Sequence, residues 1–207
     1  MKKTVLLLSV FISVMMTACS DKAAHNGGEK ESGNAALECI MTRTSVRAYD
    51  ADRKISKDTV DILLKAAMAA PTAVNKQPWA FVVVDDRAVM DSLMAACPYA
   101  RMLESAPMAI VTCGDLSLAI EGEARDMWIQ DVSAATENLL LAAHAVGLGA
   151  VWTGVYPIAD RMDGVCKALG LPSNIVPLAV VPIGYPSGST APKDKWMPEK
   201  VHYNGWD

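Results

Sequence analysis

RDMWIQDVSAATENLLLAAHAVG, from Arg125 to Gly147, is the stretch whose reading decides the fold. It holds no proline and stops at a glycine, the residue type that most easily ends a helix, so it predicts a helix from about Arg125 to Val146. Its first half is amphipathic. From Leu139 to Val146 it is apolar nearly all round except for His144, which demands cover on several sides. Such a helix belongs at the centre of a domain, and a dimer interface is a reasonable second cover. His144 then reads as a satisfied core or interface residue.

Toward the C-terminus, Gly149 to Thr153 reads as a strand, Ile158 to Leu169 as a helix, and Ile175 to Ile183 as a strand whose prolines favour a sheet edge. Toward the N-terminus the pattern predicts a short helix over Leu37 to Met41. A second helix, capped by Ser56, puts Val60, Leu63, Leu64, Ala67 and Met68 on one stripe, with Pro71 beyond it. Trp79 to Val84 is nearly all apolar, as a buried strand should be. A helix near Ala88 to Ala96 and a strand near Met108 to Cys113 complete the set. This mixed order lacks the regular βαβ alternation of a doubly wound sheet. No polar gap divides it, so residues 35–207 form one domain.

The chain has 207 residues, 52% of them hydrophobic, and a mean hydropathy of +0.21. Its first eighteen residues explain much of that excess. Lys2-Lys3 precedes an uncharged run from Thr4 to Ala18, which as a helix reaches about 22 Å at roughly 1.5 Å per residue, short of a ~30 Å hydrocarbon core. A signal peptide over residues 1–18 is expected, not a membrane span. Met16-Thr17-Ala18-Cys19 resembles the bacterial lipobox, although methionine stands where leucine is usual, so lipidation at Cys19 is expected. The alternative is an ordinary cleaved signal beside a chance cysteine. Ser20 to Asn34 carries no large apolar side chain, so 19–34 reads as a lipidated cysteine and a flexible tether with a reach on the order of 20 Å. The expected location is the cell envelope, periplasmic or surface-facing.

Of 19 Lys and Arg against 23 Asp and Glu, two lysines lie in that leader, so the remainder is mildly acidic. That argues against a nucleic-acid partner, which needs a concentrated basic face. Cys39, Cys97, Cys113 and Cys166 form no CxxC and no close spacing with histidine, which disfavours zinc or thioredoxin-type chemistry. No metal site is expected, and the cysteines are expected to be buried free thiols. There is no G-x-G-x-x-G after a strand, no Walker loop, no G-x-S-x-G and no H-E-x-x-H. Gly147-Leu-Gly149 with Gly154 follows a helix and precedes a strand, the reverse of the dinucleotide-binding order.

What remains is a set of scattered cations and amides. Arg43-Thr-Ser45-Val-Arg47 places two guanidinium groups and a hydroxyl at a helix end, as a phosphate clamp would, although taken alone the signal is weak and solvated arginines are the commoner reading. Lys193-Asp-Lys195 sits in a proline-flanked segment, where plain surface charge is the alternative. Pro71-Thr-Ala-Val-Asn75-Lys-Gln77-Pro78-Trp79 crowds polar amides beside a tryptophan, as a ligand with ring nitrogens and carbonyls would use.

Taken together, R-x-S-x-R before an aspartate, P-T-x-x-N-x-Q-P-W, Trp128-Ile-Gln130-Asp131 with Ala134 and Asn138, Gly147-Leu-Gly149, Thr153-Gly154, Lys193-x-Lys195 and Val201 to Trp206 resemble the nitroreductase family of FMN enzymes. The resemblance spans about Cys39 to Asp207. It implies an α+β fold with a central, mostly antiparallel sheet flanked by helices, in an intertwined homodimer with FMN at the subunit interface. By position, Arg43, Ser45 and Arg47 match residues that hold the FMN phosphate, ribityl chain and pyrimidine edge, and Lys193 and Lys195 match the second phosphate clamp. Pro71, Thr72, Ala73 and Asn75 match a loop contributed by the partner subunit, with Ala73 in place of a frequent serine. Thr153 and Gly154 match the turn whose N–H groups approach flavin N5 and O4, and Arg101 matches a basic residue near the pyrimidine ring.

The implied chemistry is ping-pong hydride transfer from NAD(P)H or another donor to nitroaromatic, quinone or related acceptors. Arg47 and Gly154 tune the flavin, and no protein group acts as nucleophile or acid/base. A lipid-anchored enzyme faces a compartment poor in nicotinamide nucleotides, so an atypical donor is expected. The alternatives are a specialised flavin enzyme of the same fold, reductive dehalogenase or flavin-consuming, or a surface lipoprotein that binds flavin without turnover.

Overall fold

The computed structural model describes residues 28–206. The expected signal peptide and Cys19 lie outside the described residues. Among the described residues, no helix is long and apolar enough to cross a membrane.

Among the described residues, five α-helices, α1 (Gly28–Thr42), α2 (Lys57–Met68), α3 (Arg87–Ala96), α4 (Met127–Ala145) and α5 (Ala159–Leu169), accompany five strands, β1 (Trp79–Val84), β2 (Met108–Asp115), β3 (Gly149–Ala150), β4 (Thr153–Gly154) and β5 (Ile175–Gly184). All strand pairs are antiparallel. The sheet order is β1-β2-β5-β3, and β4 also pairs with β5.

Alternation along the two central strands builds two cores. Met108 and Ile110 of β2 join Ala179, Val181 and Ile183 of β5 beneath α2 and α4. Ala109, Val111, Cys113 and Val180 face the opposite way, toward Met90 and Leu93 of α3 and Val165 of α5. Side chains that alternate across a strand, apolar on both faces, require a sheet covered on both sides. Helix starts are set locally: Ser56 accepts a hydrogen bond from Thr59 N–H and Asp86 accepts one from Val89 N–H, each capping a donor the helix cannot satisfy. Gly170, at φ 62°, closes α5 in the left-handed conformation.

The expected central helix is α4. Trp128, Asp131, Val132, Ala135, Thr136, Leu139, Leu140 and Ala143 are buried along it. The Thr136 hydroxyl donates to Val132 C=O at 2.7 Å and lies 3.1 Å from the Thr112 hydroxyl, from which it can accept, so this buried polar pair is satisfied. His144 Nε2 lies 2.9 Å from Thr42 Oγ1, a half-buried, partnered histidine as expected.

Several boundaries differ from the sequence reading. The strand expected at an edge, β5, lies between β2 and the β3/β4 pair, whereas β1, expected to be buried, is the edge and mostly half-exposed. Proline is tolerated inside β5 because its missing donors fall at irregularities. Pro177 sits where the β2 register shifts between Thr112 and Cys113. Pro182 accepts from Val151 N–H at the break between β3 and β4, so the donor it lacks falls where the ladder is already interrupted. That break also splits the expected Gly149 to Thr153 strand in two. The first helix extends well before Leu37. Residues 28–34 of the expected tether are its opening turns, and the strong helix formers Ala35, Ala36, Leu37 and Glu38 continue it. The four described cysteines are free; Cys97 and Cys113 are buried, while Cys39 and Cys166 are half-buried.

Candidate functional site

The segment after α1 carries Arg43, Ser45 and Arg47 and is fixed by three contacts. Val46 N–H donates to Ala150 C=O at 3.0 Å, and Ser45 forms a parallel bridge to Ala150. The Tyr49 hydroxyl, buried, reaches Val46 C=O at 2.6 Å and Pro182 C=O at 3.1 Å. Burial pushes the Tyr49 phenol well above its ordinary range, against the opposing pull of Arg47, so it stays a neutral donor. Gly149 makes the close approach possible: a Cβ there would meet Val46 Cβ and Cγ1 at 2.6 Å.

The C-terminal segment returns beside this one. Asp50 N–H donates to Tyr185 C=O and Ser187 N–H to Ala48 C=O, and the Thr44 hydroxyl donates to that of Thr190 at 2.7 Å. Residues far apart in sequence thereby line one cavity of about 390 Å³: Arg43, Ser45, Arg47, Thr190, Lys193 and Lys195. Four cations converge there. Glu137 holds one of them, with Arg43 Nε 3.1 Å from its carboxylate.

Arg47 also lines a second cavity, of about 350 Å³, with Cys97, Tyr99, Val151, Trp152, Thr153, Gly154 and Arg161. The Thr153 hydroxyl is turned inward to Val180 C=O. Gly154 is exposed, and a Cβ on it would meet nothing within 4 Å, so its backbone faces open space. A dianionic phosphate fits the first cavity by charge, and a flat heterocycle fits the second beside Arg47 and the bare backbone of Gly154. The residues present therefore suit a flavin mononucleotide laid across both.

Not every expected residue joins them. Arg101 opens a short 3₁₀ turn, Arg101–Glu104, and does not line the cavity, although Ala100 and Met102 on either side of it do. A second arginine lining that cavity beside Arg47 is Arg161, which the sequence reading missed. Its Nη1 donates to Gly154 C=O at 3.0 Å. The available signal was its place in the first turn of the helix that follows Thr153-Gly154, which folds it back on that turn.

Pro71, Thr72, Ala73 and Asn75 line neither cavity. Their loop is strained, with positive φ at Val74 (43°), Asn75 (55°) and Gln77 (52°), conformations side chains rarely adopt. It is held by Gln77 N–H to the Thr72 hydroxyl, Gln77 Nε2 to Asn75 Oδ1, and Ala73 N–H to the Asp131 carboxylate at 2.8 Å. Asp131, its anchor, and Glu137, the partner of Arg43, are separated by about 9 Å along α4 and roughly 120° around it. Within one protomer, the loop and the cations stand on different sides of that helix.

Comparison with known proteins finds relatives in sequence and in fold. The model of the nitroreductase family matches residues 40–99 and 94–185. A Methanothermobacter thermautotrophicus protein with the provisional name NADH dehydrogenase/NAD(P)H nitroreductase is 43% identical over 171 residues, covering 82% of this chain and 87% of its own. A crystal structure of a Bacteroides thetaiotaomicron protein under the same provisional name is 48% identical, with a TM-score of 0.79 over 84% of this chain and 99% of that one. An FMN-dependent nitroreductase from Clostridium difficile is 28% identical, with a TM-score of 0.75 over 82% and 99% of the two chains.

Proposed function

The chain belongs to the nitroreductase family, and on that premise we propose that it is an FMN-dependent oxidoreductase that passes a hydride from NAD(P)H or another donor to nitroaromatic, quinone or related acceptors. The observation that carries this reading is the pair of adjoining cavities sharing Arg47, one ringed by cations and the other open at Gly154. Bound across them, FMN would supply the two-electron centre.

The chain supplies placement and charge. Arg43, Arg47, Lys193 and Lys195 would neutralise the phosphate, and the Ser45 hydroxyl would donate a neutral hydrogen bond beside them. Arg47, which lines both cavities, would place its positive charge beside the pyrimidine edge of the bound flavin. Gly154 would offer its backbone N–H to the ring, where a fixed donor costs no reorganisation during reaction; the Thr153 N–H, matched to the same turn by sequence, instead lies in the ladder opposite Val180. One mouth serves donor and acceptor in turn, so ping-pong kinetics are expected.

A homodimer completes this reading. Two features support it: the Pro71 to Asn75 loop stands away from the cations of its own protomer, and α1 leaves Leu37 (63%), Ile40 (55%) and Met41 (74%) exposed. The partner's copy of the loop would then close the site. The reading also keeps a lipid anchor at Cys19, supported by Lys2-Lys3, the apolar run and the Thr17-Ala18-Cys19 ending, and with it an envelope location and an atypical donor. Palmitate labelling of the wild type, lost with Cys19→Ala together with membrane association, is the expected outcome; an unlabelled wild type overturns the anchor.

Anaerobic mixing of the purified protein with NADH and NADPH, then with an acceptor, tests the activity. Bleaching of the flavin band followed by its return on adding a nitroaromatic or quinone is expected. FMN that stays oxidised with every hydride donor tried would reduce the chain to a flavin carrier.

A further inference from the structure

The second cavity carries a guanidinium group besides the one assigned to the flavin. Arg47 and Arg161 both line it, and no acidic side chain does among the described residues. Arg47 faces both cavities and is accounted for by the flavin. Arg161 lines only the second. It forms no ion pair among the described residues. One of its five N–H donors goes to Gly154 C=O at 3.0 Å, and its guanidinium carbon stands 5.2 Å from the centre of the Tyr99 ring. Tyr99 itself is 74% exposed. A half-buried arginine with free donors, stacked beside an uncovered aromatic ring, offers a charge for an anion and a flat face for a ring.

We propose that Arg161 and Tyr99 form a recognition site for the carboxylate of a small aromatic substrate that reacts beside Gly154. This rests on the flavin reading above and names the substrate class of the same site. The short link from Arg161 to Gly154 sets the geometry. The anion must sit on the reacting molecule's own ring, because a nicotinamide nucleotide carries its phosphates beyond a ribose, away from its reacting carbon. The two guanidinium groups therefore divide the work: Arg47 serves the cofactor, and Arg161 selects among substrates.

The test compares 4-nitrobenzoate with 4-nitrobenzamide, which share the nitroaromatic ring and differ in charge. Calorimetric titration of the oxidised full-length protein reads binding, and absorbance of the same samples reads FMN content. Wild type should bind the carboxylate about tenfold to hundredfold tighter than the amide, as a charge-assisted pair allows, and added salt should erode only the carboxylate's affinity. Arg161→Met should bring the two affinities within about twofold while leaving the amide's affinity and the FMN content unchanged. Arg161→Lys should retain part of the preference. Equal affinities in wild type, or a preference that survives in Arg161→Met, overturn the proposal. So does an Arg161→Met protein that loses affinity for NADH while keeping the preference for the carboxylate. Should Arg161→Met not fold, the wild-type ratio, its salt dependence and Arg161→Lys decide the matter. A wild-type protein without FMN that still prefers the carboxylate would remove the flavin reading and leave the anion site standing.

Discussion

Replacing Gly149 with alanine strikes the cofactor site from behind without touching a cofactor contact. The new Cβ would lie 2.6 Å from Val46 Cβ and Cγ1, whereas ordinary contacts start at 3.4 Å, so Val46 or β3 must yield by about 0.8 Å. The contact is with the branched side chain of a residue whose N–H is bonded to Ala150, and Val46 stands between Ser45 and Arg47. Overpacking of this kind costs about 1–3 kcal/mol, which for a domain of this size lowers Tm by roughly 2–12 °C. The same displacement loosens charge-assisted hydrogen bonds from Ser45 and Arg47, each worth about 1.5–3 kcal/mol, so the Kd for FMN should rise by about tenfold or more. The assay pairs thermal denaturation of the apoprotein with fluorescence titration by FMN. Gly188→Ala, where a Cβ meets nothing within 4 Å, is the control and should change neither quantity. A Gly149→Ala protein with wild-type Tm and wild-type FMN affinity would refute the claim that this close approach positions the arginines.

Arg47→Ala should weaken FMN retention and slow flavin reduction together, measured as flavin content after gel filtration and as the anaerobic bleaching rate; unchanged values would remove Arg47 from both roles. Asp131→Ala frees Ala73 N–H from its 2.8 Å partner and should destabilise the fold by about 1–3 kcal/mol while lowering FMN affinity, both read by titration with denaturant and with FMN. Burial pushes the Cys113 thiol from 9.0 up to about 12. Its contribution to stability is therefore full below pH 9 and is lost as pH rises toward the folded value, a loss on the order of 1 kcal/mol by pH 10. Urea unfolding at pH 8 and pH 10 checks this: Cys113→Ala should narrow its stability gap to wild type at the higher pH, and a constant gap would contradict it.

Much of the architecture was legible because it rests on local rules. The α4 pattern declared both a helix and its central position, and Ser56 marked a helix start by its own cap. The sheet order was not legible in the same way. Apolar content suggested that Trp79 to Val84 was interior, and prolines suggested that Ile175 to Ile183 was exterior, yet the positions are exchanged. Edge or centre is decided by which strands pair, and Pro182 survives inside the sheet only because β3 and β4 break opposite it. No property of β5 alone discloses a gap in its neighbour. The candidate site divides similarly. Arg43, Ser45 and Arg47 sit close in sequence and stay together in space, and Thr190 bonding Thr44 brings Lys193 and Lys195 to them. Arg161 was hidden because its relation to Gly154 passes through the start of α5, while Arg101, near Tyr99 in sequence, falls outside the cavity.

The identity and stoichiometry of the flavin in the purified full-length chain test the central claim most directly. Heat release followed by chromatography should yield FMN, one per chain, with the protein eluting as a dimer. A colourless protein that takes up no FMN when it is supplied in excess would contradict the account.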